Sequence, residues 1–70
     1  MTEFSVRLPI RLGQFLKLAN LAESGAHARE LVEAGDVLVN GQRCTQRGKQ
    51  LQGGDTVNVH GETLTVAAED

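Results

Sequence analysis

An α+β domain, with two short helices packed on a small, mainly antiparallel sheet of about four to five strands, is predicted by three features of the 70-residue sequence. Apolar residues recur twice at helical spacing in the first half. The second half opens on Val37-Leu38-Val39-Asn40-Gly41, a β-branched run ending in the strongest short-range hairpin signal. A turn at Gly53-Gly54-Asp55 then introduces further alternating segments.

Taken in order, Phe4, Val6 and Leu8 alternate with Ser5 and Arg7, the period of a strand with one buried face, and Pro9 ends it. From Arg11 to about Ala22, Leu12, Phe15, Leu16 and Ala19 form a helical stripe. Leu18 and Leu21 lie off that stripe, so this helix is expected to be covered on more than one side. Ser24 is a good N-cap for a second helix whose inner face is Ala28, Leu31 and Val32 and which Gly35 can close in a left-handed conformation. After the Val37–Gly41 run a returning strand is expected through Gln42 to Thr45. Val57 and Val59, a turn at Gly61-Glu62, and Leu64 with Val66 make a second hairpin. The stretch from Ala67 to Asp70 is small and acidic and is expected to fray.

One cysteine and no apolar run of membrane-spanning length describe a single domain over residues 1–70, without disulfides and expected in the cytoplasm. A signal segment is not recognisable at Met1-Thr2-Glu3-Phe4, so the chain is read as mature. So small a domain buries only about 60% of its unfolded surface, which leaves little room for an enclosed substrate cavity. Cys44, His27 and His60 stand singly, without metal-ligand spacing or a partner that would activate a thiol, so neither a metal, a cofactor nor catalysis is expected. Glu30 and Glu33 read as helix-surface carboxylates.

Net charge is −2, which by itself argues against a polyanionic partner. The distribution argues otherwise. All seven Lys and Arg residues lie between Arg7 and Lys49 with four acids among them, and the remaining five acids lie outside. Within that region Gly41 to Lys49 carries Arg43, Arg47 and Lys49 and no acid.

The ordered pieces resemble the S-four RNA-binding domain, or αL motif. Leu12, Phe15 and Leu16 match its first helix, Ser24 and Ala28-Arg29 with Leu31-Val32 its second, Gly35, Val37, Val39, Asn40 and Gly41 its G-x-V-x-V-N-G, and Gly54-Asp55 with Val57 and Val59 its closing G-D-x-V-x-V. The motif core runs from about 11 to 60, ahead of an acidic tail at 67–70. Two departures stand out: Arg11-Leu12-Gly13 replaces Arg-Leu-Asp, and Ser24-Gly25 replaces Ser-Arg. The Leu-Gly-Gln-Phe-Leu-Lys, Ser-Gly and Arg47-Gly48-Lys49 segments look like a small free-standing bacterial subgroup, in which Arg47 and Lys49 would replace some of the lost charge.

The resemblance implies non-catalytic binding of structured RNA, ribosomal or transfer RNA, in translation or ribosome assembly, by a monomer away from membranes, with ribosomal particles as a further expected partner. Duplex RNA is gripped through phosphates and 2′-hydroxyls, which calls for cations on a rigid frame. Arg43, Arg47 and Lys49 are the leading contacts, with Arg29 on the second helix and Arg11 and Lys17 on the first. Gly48 would serve a close approach or a turn. Ser24 and Gly25 open the second helix, where free amides can hold a phosphate. Phe4 and Phe15 read as core, so base stacking is not expected. A protein-interaction module without direct RNA contact is the alternative, since Asn-Gly followed by Gly-Asp-x-Val-x-Val also occurs in small β-grasp proteins. A sulfur-carrier role needs a terminal Gly-Gly, whereas this chain ends Ala67-Ala68-Glu69-Asp70.

Overall fold

Alternation shapes the first strand, β1 (Thr2–Val6), from which Val6 is buried and Phe4 half-buried while Glu3 and Ser5 face solvent. The computed structural model describes residues 2–69. β2 (Ile10–Arg11) leads directly into α1 (Leu12–Leu18) and pairs antiparallel with β5 (Gln50–Leu51). The stripe Leu12, Phe15 and Leu16 is fully buried.

The first helix stops about four residues before the expected Ala22. Asn20 takes a left-handed φ of 60°, and the Asn20 and Leu21 amides donate back to the Lys17 and Leu16 carbonyls at 3.2 and 2.9 Å. This is the Schellman closure with asparagine where glycine is usual. The early stop also corrects the expected covering of Leu18, which is 59% exposed, whereas Leu21 is half-buried.

The second helix, α2 (Gly25–Glu33), begins where the Ser24 hydroxyl accepts the His27 amide at 3.1 Å. It buries Ala28, Leu31 and Val32. Gly35, at φ 80°, ends it: the Gly35 and Asp36 amides donate to Val32 and Leu31 at 3.1 and 3.0 Å.

β3 (Val37–Val39) turns at Asn40 (φ 53°) and Gly41 (φ 81°) into β4 (Gln42–Arg43). Positive φ at both loop residues is the twist-matched two-residue hairpin that Asn-Gly favours. β4 ends at Arg43, short of Thr45, and Cys44 lies half-buried beyond it with its amide on the Val37 carbonyl at 3.0 Å. β6 (Thr56–Val59) and β7 (Glu62–Ala68) form the second hairpin, turning at His60-Gly61 rather than Gly61-Glu62.

The main sheet runs β1-β7-β6-β3-β4, antiparallel except where β1 lies parallel to β7. That pairing corrects the expected fraying of residues 67–69. Ser5 and Val6 face Ala67 and Ala68 in register, and the Glu69 amide donates to the Val6 carbonyl at 2.8 Å. Asp70 lies outside the described residues.

Both helices cover one face of the sheet, and the core between them joins Leu12, Phe15, Leu16, Val32, Val37, Leu51, Val57 and Val66. Phe4 meets Phe15 edge-on, with ring centres 5.8 Å apart at 88°. Among the described residues no polar side chain is buried, and no helix is long and apolar enough to cross a membrane.

Candidate nucleic-acid interface

The two halves of the sheet signature meet at a side-chain clasp. Asn40 Nδ2 donates to Asp55 Oδ1 at 3.1 Å, and Asn40 Oδ1 accepts the Thr56 amide at 2.9 Å. Asp55 Oδ2 in turn accepts the Gln52 amide at 2.9 Å. Asparagine therefore serves twice here, adopting the left-handed turn and joining the β3–β4 hairpin to the start of β6.

Between β4 and β5 the chain folds into a tight loop at 46–49, closed by the Lys49 amide on the Gln46 carbonyl at 3.1 Å. The first amides of any helix lack internal partners. In α1 the loop supplies them: the Leu12 amide donates to the Lys49 carbonyl at 2.8 Å and the Gly13 amide to the Arg47 carbonyl at 3.0 Å. Arg11 Nη1 donates to the Gly48 carbonyl at 2.8 Å, and the Arg11 amide donates to Gln14 Oε1 at 3.2 Å. A Cβ at position 13 would come within 2.8 Å of Arg47 Cγ, so glycine there lets the arginine stem lie against the helix.

This seam forms the wall of an open groove of about 580 Å³ lined by Arg11, Gly13, Gln14, Lys17, Gly25, Arg47 and Gly48. The lining holds three cations and no carboxylate. A second groove of about 350 Å³, lined by Arg7, Pro9, Ile10, Gln14, Lys17 and Leu18, shares Gln14 and Lys17 with the first. Mutual repulsion among the cations and their exposure favour an anionic occupant over an apolar one.

Of the residues singled out from the sequence, Arg11, Lys17, Gly25, Arg47 and Gly48 line the main groove. The others lie apart from that lining. Ser24 caps α2. Arg29 is exposed on α2 and pairs with Glu33 at 3.0 Å. Arg43 crosses the end of α2, where a Cβ on Gly35 would lie 3.0 Å from its Cδ, so its charge faces the negative end of that helix. Lys49 is exposed on the loop; its amide closes the turn on Gln46 and its carbonyl accepts the Leu12 amide.

Gly13 and Gln14 were not singled out as lining residues. Gly13 and Gln14 belong to the Leu-Gly-Gln-Phe-Leu-Lys segment that resembles the free-standing subgroup, but neither the departure from Arg-Leu-Asp nor that segment points to a place in a groove. Gly48 makes a close approach to Arg11, as a Cβ there would stand 3.3 Å from Nη1. His27 Nδ1 accepts the Glu23 amide at 3.0 Å, so this ring helps shape the entry to α2. Among the described residues no cluster of His, Cys, Asp and Glu could hold a metal ion.

A model of the S4 domain family matches residues 6–67. The chain is 44% identical over 52 residues to a Bacillus subtilis (strain 168) protein called probable ribosome maturation protein RlbA, covering 74% of this chain and 73% of that one. The solution structure of YbcJ from E. coli, described as revealing an αL motif involved in RNA binding, aligns with a TM-score of 0.73 at 33% identity over 97% of this chain and 89% of YbcJ. Heat Shock Protein 15 of Vibrio cholerae, described as trimeric, aligns with a TM-score of 0.76 at 26% identity over 89% of this chain. The chain spans 66% of that protein's length, just under two thirds.

Proposed function

The chain belongs to the S4 domain family, and from that premise we propose that it binds structured RNA, ribosomal or transfer RNA, without catalysis, in ribosome maturation or translation. The observation that carries this reading is the acid-free groove where Arg11, Lys17 and Arg47 converge beside Gly25. Lys17 and Arg47 in the groove, with Lys49 exposed two positions further along the 46–49 loop, supply the phosphate-facing charge. Ser24 and Gly25 offer the start of α2, and nothing lies within 4 Å of a Cβ built on Gly25. Arg29 and Arg43 sit outside the groove and extend the field, each partly offset, by Glu33 and by the end of α2 respectively.

Backbone and shape are what such a surface can read. Phe15 is fully buried and Phe4 packs against it, so neither offers a base a stacking platform. The names of the relatives support the setting: one is called a ribosome maturation protein, and the motif of another is described as involved in RNA binding.

Neutralising about three to five phosphates of a duplex gives an affinity whose logarithm falls against log salt with a slope of roughly −2.7 to −4.5, at about −0.9 per phosphate. Titrating labelled duplex RNA at several salt concentrations measures that slope, and a salt-independent affinity would sink the proposal. In-cell crosslinking followed by sequencing of bound RNA names the target. Association with ribosomal particles that survives nuclease, without crosslinked RNA, would instead point to a protein partner.

A further inference from the structure

Arg11 looks at first like one more phosphate-binding cation, but its geometry points elsewhere. Its guanidinium donates to the Gly48 carbonyl at 2.8 Å across 37 positions of sequence. On the same side, the Leu12 and Gly13 amides hold the Lys49 and Arg47 carbonyls at 2.8 and 3.0 Å. Three donors from one helix start thus take the three consecutive carbonyls of residues 47 to 49. The Leu12 and Gly13 amides are thus consumed by protein carbonyls, and the loop backbone is held from Arg47 through Lys49.

We infer that Arg11 is a positioning residue: it locks the 46–49 loop to the start of α1 so that Arg47 and Lys49 meet RNA already ordered, and it makes no essential phosphate contact itself. This rests on the RNA-binding reading. A cation on a mobile loop loses conformational freedom when it binds, whereas one on a clamped loop has lost it beforehand. Gly13 and Gly48 belong to the same device. A Cβ at 13 would reach 2.8 Å from Arg47 Cγ and one at 48 would reach 3.3 Å from Arg11 Nη1, so both glycines allow the seam to close.

The test compares the full chain with R11Q, R47Q and Gly48→Ala, using a labelled RNA stem-loop and amide exchange by NMR. Without RNA, R11Q should speed exchange at Leu12 and Gly13. With RNA, it should weaken binding about tenfold while leaving the salt slope near the wild-type value, because ordering is lost and no phosphate contact is. R47Q should lower the slope by about 0.9. Should R11Q fail to fold, Gly48→Ala keeps every charge, crowds Nη1, and should shift exchange and affinity the same way with the slope retained. An R11Q slope reduced as in R47Q, or an R11Q protein unchanged in exchange and affinity, overturns the inference. A wild-type chain that does not bind the stem-loop overturns the RNA-binding reading instead, and exchange at Leu12 and Gly13 still reports on the clamp.

Discussion

Asn40 illustrates how one side chain can satisfy a backbone requirement and a tertiary one together. Its φ of 53° suits the hairpin turn, and its amide group bonds both Asp55 and the Thr56 backbone. Glycine would keep the first property and lose the second. Asn40→Gly is therefore expected to lower stability by roughly 1–2 kcal/mol, the worth of one or two hydrogen bonds, with the hairpin intact. Denaturant unfolding measures the loss, and preserved cross-strand NOEs between Leu38 and Arg43 report the hairpin. At this scale Asn-Gly was readable as a turn, since the dipeptide's dihedral preference is local. The clasp to Asp55 was not, because its partners are 15 residues apart.

At the scale of elements, the two helices end by the same hydrogen-bond pattern on different residues, Asn20 in α1 and Gly35 in α2. Asparagine tolerates the left-handed region less well than glycine. Asn20→Gly should accordingly raise stability by about 0.5 kcal/mol, seen as a higher denaturant midpoint with an unchanged slope. Helical periodicity itself ends at Ala19; Leu21 and Ala22 do reach the core, but from the chain that follows the Asn20 closure and not from the helix. The groove makes a second prediction here. Lys17→Gln should reduce the salt slope of RNA binding by about 0.9, whereas Arg29→Gln, whose charge already faces Glu33 at 3.0 Å, should change it far less. Salt-dependent titration of the two variants side by side checks the difference.

For the molecule as a whole, one core carries the burden of folding. A domain of this length has a stability of roughly 4–10 kcal/mol. Phe15 is fully buried and holds Phe4 edge-on at 5.8 Å, so Phe15→Ala should cost about 3–5 kcal/mol, a large fraction of the total. Circular dichroism during heating should show unfolding at a much lower temperature, with the RNA-binding loss following the loss of fold. The parallel β1–β7 pair also belongs to this scale, since it joins residues near the two ends of the chain and closes the sheet on that side.

By itself the sequence determined the α+β class, both helix starts, the Asn-Gly hairpin, the apolar stripes of the two helices and the alternation of β6 and β7, because hydrophobic period and turn chemistry act between near neighbours; the burial of Ile10 and Leu51 on the two-residue strands β2 and β5 carried no such local signal. Overall charge pointed away from a polyanion and its distribution pointed back. Only tertiary structure decided that β1 lies parallel to β7, that Ala67 and Ala68 are paired, and that Arg11, Lys17 and Arg47 share a groove from which Arg43 is absent. Parallel pairing has no local turn signature, and the seam joins residues 37 apart through backbone carbonyls that any residue type could supply. The cations could be read one by one; their convergence depended on a loop docked against the start of a distant helix.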